Sequence, residues 1–306
     1  MWQHGRMTTD IDDPLRLDPR VLRRRLERAA PRFDDAAALH CEVSRRLVER
    51  LDFVLLKPDR VLDLGCATGI SSPALRARYP RAEHVVADLA CGVVASARRR
   101  GRRWRRTPGV CSGLEQLPFA SNSFDLVFSC LALHRVPNLK PTARELQRIL
   151  RPGGVLMFAT FGPDTLTELR AAWSGVDATP HVHGFVDMHD IGDALTGARL
   201  ADPVMDMEHF TLTYPGVAAL VDDLSALGLR NALAARRKGL MTPRQWHAME
   251  QAYAARADAD GRLPATWEVA YGHAWGTDAQ PQITEAPGEV RVPLAGLSVP
   301  RRKRNP

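Results

Sequence analysis

An apolar strand that ends in an acid and runs straight into a glycine-bearing turn, Arg60–Gly69 (RVLDLGCATG), constrains this chain more than any other stretch. Val61, Leu62 and Leu64 read as the end of a strand buried on both faces, and Gly65 and Gly69 let the backbone turn sharply beneath a ligand. The segment after it, Ser71 to Arg78, can be helical. A helix N-terminus facing such a loop presents free N–H groups to a carboxylate or phosphate. The dinucleotide pattern Gly-x-Gly-x-x-Gly fits poorly, because Ala67 stands between the glycines and Ile70 where the last one belongs.

The chain has 306 residues, 45% of them hydrophobic, enough for one large core with decorations. No window approaches the ~18 uninterrupted apolar residues of a membrane span, and the N-terminus lacks a signal-peptide core. We therefore expect a cytoplasmic protein. Its five cysteines show neither C-x-x-C spacing nor disulfide-scaffold density, so they read as reduced and structural. The net charge of +7 is concentrated in Arg98–Arg106 and Arg301–Arg304. Such runs attract polyanions, yet no aromatic stacking platform or reader motif accompanies them, so nucleic acid is not the expected partner.

Residues 1–20 read as a flexible N-terminus, and Val21–Leu51 as two helices broken at Pro31. Strands are expected at Arg60–Leu64, His84–Ala87, Phe124–Ser129 and Val155–Thr160, and helices at Ser72–Arg78, Gly92–Arg100 and Thr142–Leu150, with a turn at Arg151–Gly154. This alternation implies a parallel sheet wound on both faces. Pro203–Tyr214 reads as extended, Val217–Leu227 and Pro243–Ala257 as helices of an insertion spanning about 217–260, and Thr266–Trp275 as a last strand. From residue 277 onward the composition suggests a disordered basic tail, leaving 21–276 as the folded domain.

The pattern Asp63, Gly65, Thr68 and Gly69 resembles motif I of class I S-adenosylmethionine-dependent methyltransferases, with Ala67 in place of the usual middle glycine. That resemblance implies a Rossmann-like doubly wound sheet, mostly parallel with an antiparallel last strand. Asp88, directly after the second strand, then stands where a carboxylate accepts both ribose hydroxyls, although it also suits a helix N-cap. Gly113 to Phe119 fits the loop that packs on adenine; methyltransferases of this type commonly carry Asp at the place of Gly113, and Glu115 is the candidate substitute. Ser129 and Cys130 end the fourth strand, near the amino-acid end of the cofactor. The implied contacts are Phe33, Asp63, Gly65, Cys66, Ala67, Gly69, Asp88, Leu89, Gly113, Leu114, Glu115, Ser129 and Cys130.

Other constellations are weaker. His181-x-His183 with Asp187, His189 and Asp190 lacks a recognised ligand spacing, so a metal is not expected. No G-x-S-x-G nucleophile motif occurs.

Longer strings carry a narrower resemblance: RRRLERAAPRFDDAAALHCEVSRRLVERLD, LPFASNSFDLVFSCLALH, RILRPGGVLMFATFGPDTLTELR, EHFTLTYP and TWEVAYGHAWG. Together they resemble the malonyl-[acyl-carrier protein] O-methyltransferase family of biotin biosynthesis, from about Val21 to Gly276. A group of mitochondrial complex I assembly proteins shares part of these patterns and is the alternative reading. A degenerate binding paralogue is a third, favoured by Ala67, Gly113 and the His134-Arg135 pair where the family tends to have Gln-Trp.

The family resemblance implies methyl transfer from S-adenosylmethionine to the free carboxylate of a malonyl group, with S-adenosylhomocysteine as product. An ionised carboxylate needs no general base, so alignment in a dry pocket carries the reaction. Arg170 is expected to orient the carboxylate, with His134 and His273 as wall residues, and Phe33 falls where the family often has Tyr. The implied partner is an acidic acyl-carrier protein, with no membrane role.

Overall fold

The computed structural model describes residues 16–100, 107–136 and 138–278. Seven strands form one sheet: β1 (Arg60–Leu64), β2 (Glu83–Asp88), β3 (Gly109–Cys111), β4 (Phe124–Cys130), β5 (Leu150–Phe161), β6 (Ala201–Tyr214) and β7 (Leu263–Trp275), in the order β3-β2-β1-β4-β5-β7-β6. The first five run parallel, and β7 lies antiparallel to both β5 and β6. This is the Rossmann-like doubly wound architecture of class I methyltransferases. Strand order reverses between β1 and β4, the point at which such sheets open a crevice at their carboxyl ends.

Helices cover both faces. On one, α2 (Ala38–Arg50), α6 (Thr167–Ser174), α8 (Val217–Ala226) and α9 (Pro243–Ala254) pack with Phe161, Trp267 and Tyr271. On the other, α5 (Leu139–Ile149) and α7 (Met188–Gly197) seal Leu62, Leu64, Val127, Leu156 and Phe158. The chain marks its own helix starts. Asp18 and Pro19 begin α1 (Pro19–Ala29), the Asp18 carboxylate accepting from the N–H groups of Arg20 and Val21 at 3.1 and 3.2 Å. Thr242 and Gln245 form a capping box at α9. The remaining helices are α3 (Ser72–Arg78) and α4 (Cys91–Arg99).

The glycine of the AYGHAW string has a steric cause. Gly272 lies opposite Phe158 across the β5–β7 ladder, and a Cβ there would come within 2.5 Å of the Phe158 ring.

Several local expectations need correction. Residues 16–20 are held in place: Leu17 is buried and bridges to Leu233, and the Asp18 N–H donates to the Ala232 carbonyl. The Arg151–Gly154 turn is absorbed into β5 as an irregularity, because Phe124 pairs with Leu150 before the register shifts at Leu126. Three elements escaped the sequence reading: β3 is only three residues long, and α6 and α7 follow a stretch with mixed periodicity. Thr277 is also tied down, its carbonyl and hydroxyl accepting from the Gln147 amide. Residues 101–106, within the first arginine run, and the second run at 301–304 lie outside the described residues.

Candidate cofactor and acceptor site

β1 delivers Asp63 into the core, where its carboxylate accepts from the Ser72 hydroxyl at 2.8 Å; burial pushes its carboxyl up to about 6. The turn beyond it is stitched to β2 by the N–H groups of Gly65 and Cys66, which both donate to the Ala87 carbonyl, at 2.7 and 3.1 Å. Gly65 and Gly69 have φ of +69° and +86°. Ala67 also lies in the left-handed region, at +45°, so the alanine in the middle of the motif bears backbone strain. Replacing it, Ala67→Gly, is expected to raise stability by about 1 kcal/mol in denaturant unfolding; equal or lower stability would show that the loop is relaxed around alanine. The Cys66 side chain is turned away from the turn's mouth toward Val86, Val94 and Ala97, and burial pushes its thiol well up.

Asp88 ends β2 and is buried, at 1% exposure. One of its oxygens accepts from Ala67 N–H at 3.1 Å and the other from Ala90 N–H at 3.3 Å. Arg135 lies 3.5 Å away as its ion-pair partner. Asp88, Leu89, Gly113, Leu114, Glu115 and Gly65 line one narrow cavity, closed by Ala132, Arg135 and Val136 and by the start of α1 at Leu17, Pro19 and Leu22. The structure thus gathers six of the sequence-predicted residues around a single space. A Cβ on Gly113 would meet nothing within 4 Å, so its lack of a side chain leaves open space. Ser129 and Cys130 stand at the end of β4; the Ser129 hydroxyl is buried and unpartnered among the described residues, and burial pushes the Cys130 thiol far up. Phe33 packs beside Ala67 and edge-on to His40, outside the cavity lining.

A second cavity, of about 320 Å³, lies beside Phe161. Phe161, Phe185, Trp173, Trp246 and Trp267 line it, with arginines at its mouth. The His134 ring packs 4.7 Å from Phe161, a wall of this second cavity, while its neighbour Arg135 lines the first and faces Asp88. Around Phe161 three buried groups have no hydrogen-bond partner among the described residues: both ring nitrogens of His40, both of His134, and the indole N–H of Trp267. Burial lowers the His40 imidazole to about 3 and drives that of His134 far down, with the Arg135 charge adding to both. Each ring is therefore neutral near pH 7, with one N–H to donate. Buried polar groups are normally satisfied, so this cluster stands out among the described residues.

His40 and Trp267 were not picked out from sequence, since a histidine at an apolar helical position and a strand tryptophan both read as core. Two predicted acceptor residues are corrected. Arg170 gives three of its five N–H groups to the carbonyls of Pro163, Thr165 and His183, at 3.0, 3.1 and 3.4 Å, and so braces two loops. His273 lies on β7 opposite Met157 and Val204 and lines a separate groove with Arg50 and Asp206. The histidines of 181–189 are likewise dispersed. His181 stacks on Trp173 at 3.7 Å and bonds to Asp177, the His183 ring accepts from Ala232 N–H, and His189 pairs with Asp187.

Comparison with known proteins bears on the fold and the family. Residues 62–158 match the family described as "Methyltransferase domain". The malonyl-[acyl-carrier protein] O-methyltransferase of Halorhodospira halophila is 46% identical over 291 residues, covering 95% of this chain and 99% of the relative. That of Laribacter hongkongensis is 48% identical over 273 residues, covering 87% and 92%. Among solved structures, the YcgJ protein of a Bacillus has a TM-score of 0.56 at 14% identity, over 77% of this chain and 99% of that one. A putative methyltransferase of Bacillus halodurans has a TM-score of 0.54 at 17% identity, over 76% and 97%. Those likenesses concern the fold, whereas the sequence relatives reach further: this chain belongs to the malonyl-[acyl-carrier protein] O-methyltransferase family.

Proposed function

We propose that this chain methylates the free carboxylate of a malonyl thioester carried on an acyl-carrier protein, using S-adenosylmethionine. The observation that supports this reading best is the pair of cavities, one headed by the buried Asp88 carboxylate and the other lined by aromatic rings, with Arg135 in the lining of the first and its neighbour His134 packed on Phe161, a wall of the second.

The Asp88 cavity fits the cofactor. Oδ1 of Asp88 accepts only the Ala90 N–H and keeps a further lone pair for a ribose hydroxyl, while Oδ2 accepts the Ala67 N–H and faces Arg135. Leu89, Leu114 and Val136 supply apolar walls for adenine, with Glu115 at the rim, and the Gly65 turn faces the amino-acid end. When bound, S-adenosylmethionine supplies an electrophilic methyl group on a sulfonium.

The malonyl carboxylate is ionised near neutral pH, so this chain needs only to orient and dry it. Neutral His40 and His134, with the Trp267 indole, donate hydrogen bonds to the substrate oxygens. Uncharged donors orient a carboxylate while leaving it more nucleophilic than a guanidinium would, which gives the displacement of Arg170 from this role a chemical sense. Phe161 and Phe185 pack around the His134 ring and keep water from it. We place the protein in the cytoplasm on this reading; no helix of the described residues is long and apolar enough to cross a membrane.

Mass spectrometry of malonyl-acyl-carrier protein incubated with S-adenosylmethionine tests the activity: one added methyl group, removed by esterase, is expected. Cofactor binding without that ester would overturn it and return attention to a protein side chain as acceptor. Asp88→Asn tests the cofactor half. Loss of a charge-assisted acceptor for a ribose hydroxyl should weaken binding about 100-fold, or roughly 2.7 kcal/mol, by calorimetry. Unchanged affinity in a folded variant would move the ribose elsewhere.

A further inference from the structure

α1 runs along both cavities, with Leu22 on the cofactor side and Arg25 on the mouth of the aromatic cleft. Its sequence, PRVLRRRLERA, holds one acid, and that acid is already used: Glu27 accepts from the N–H groups of Cys91 and Gly92 at 2.7 and 2.8 Å. Facing α1 across the mouth are Arg230, Arg236 and Arg237, from the segment joining α8 to α9. Arg236 reaches Asp18 at 3.4 Å and Arg237 reaches Asp177 at 3.8 Å. Among the described residues, Arg24, Arg25, Arg28, Arg230 and Lys238 have no ion-pair partner.

Concentrating cations in this way is costly to folding, since like charges on adjacent helical turns repel. The cost is felt at Arg25, half-buried at the lip, whose guanidinium is lowered to about 10 by burial and by repulsion from Arg230, Arg236, Arg24 and Arg28. An unpaired arginine half out of water, ringed by further cations, gains stability only when an anion arrives. Leu240 stands on the same segment at 92% exposure, an apolar contact set among the charges. The cleft behind this collar is an aromatic chamber that closes on Phe161 and Trp267, not an open stacking groove.

We propose that this collar is the docking site of the carrier protein: Arg25 and Arg230 bind the phosphodiester of its phosphopantetheine arm, while Arg24, Arg28, Lys238 and Leu240 meet the acidic surface of the carrier. The thioester arm then enters between Trp173 and Trp246 and presents the malonyl group to His134. This rests on the malonyl-carrier reading of the cleft and gives it an address. It sets the docking face on α1 and the segment 230–240; in the Arg98–Arg106 run, Arg98 donates to the Thr107 carbonyl and Arg100 pairs with Asp34.

The test measures binding and turnover separately on the intact protein. Malonyl-acyl-carrier protein with its arm, and the same carrier without it, are titrated against wild type, R25Q/R230Q and the exposed-site reversal R230E, with R99Q as control. Wild type should bind the armed carrier at least tenfold more tightly than either collar variant, and more weakly as salt rises; R99Q should match wild type. In turnover, R230E should raise KM for the carrier substrate at least tenfold and leave unchanged the rate on malonyl-N-acetylcysteamine, which has neither phosphate nor carrier.

Equal binding by wild type and R230E, no binding of the carrier by wild type, or equal loss on the truncated thioester would overturn the proposal. So would an oligonucleotide that binds the collar while the carrier does not. Collar-dependent binding without methyl ester formation would overturn the activity and leave the docking site standing; ester formation with unchanged KM in R230E would do the reverse.

Discussion

Gly65→Ala should abolish cofactor binding and lower stability by about 3 to 5 kcal/mol. Two costs add. Gly65 has φ of +69°, where an L side chain carries strain of about 1–2 kcal/mol. A Cβ there would also lie 2.0 Å from the Cβ of Ala132 and 3.5 Å from its Cα. Ala132 has no room to retreat. It is buried between Leu131, whose N–H donates to Ala159 at 2.8 Å, and the packed turn at Leu133–Arg135. The loop must therefore lift, breaking the paired bonds of Gly65 and Cys66 to the Ala87 carbonyl and moving Ala67 N–H away from Asp88. Denaturant unfolding and calorimetric titration read the two losses. Gly113→Ala is the matched control, because its Cβ meets nothing within 4 Å, and it should stay within about 0.5 kcal/mol of wild type. A Gly65→Ala protein within about 1 kcal/mol of wild type that still binds the cofactor would show that the turn is far more compliant than its contacts indicate.

That control separates what was legible in the sequence from what was not. The Arg60–Gly69 turn and Asp88 could be read because their chemistry is local. A strand end, an acid and glycines at fixed offsets determine a turn whatever packs around it, and Asp88 follows from the next strand's register. The sheet's parallel half was visible for the same reason, its strands being short apolar runs buried on both faces. The acceptor half is made by long-range contacts. Arg170 belongs to a family-specific string, yet three carbonyls take up its donors, one of them thirteen residues away at His183. His40 on α2, His134 after β4 and Trp267 on β7 meet only once the sheet is assembled around Phe161. Charge density misled in a similar way. The longest arginine run drew attention in the sequence, whereas α1 carries fewer arginines but faces a cleft mouth with its only acid already engaged.

The neutral donors around Phe161 carry a second consequence, a steep loss of stability in mild acid. Burial lowers the imidazoles of His40 to about 3 and His183 to about 4, and drives His134 far down. Unfolded histidine takes its proton near 6.5, so the stability these three contribute is complete above that pH and is lost as pH falls below it. Asp63 opposes them. Its folded carboxyl is raised to about 6, so it stabilises the fold fully below the unfolded carboxylate range and loses that contribution as pH rises through about 6. Near pH 5 the unfolded chain thus binds three more protons on these histidines and one fewer on Asp63. The net of two corresponds to roughly 2.7 kcal/mol per pH unit, a large share of a typical domain's total. Denaturant unfolding at pH 7, 6 and 5 should show that slope, and H40Q/H134N should flatten it by about 1.4 kcal/mol per unit for each histidine removed. H183Q, which removes one histidine, should flatten the slope half as much as that double variant without touching turnover, since the His183 ring is bonded to Ala232 N–H and stands outside the proposed donor set. A slope that H40Q/H134N leaves unchanged would mean that these two rings hold protons in the folded state, and with that their role as neutral donors to the substrate carboxylate would fall.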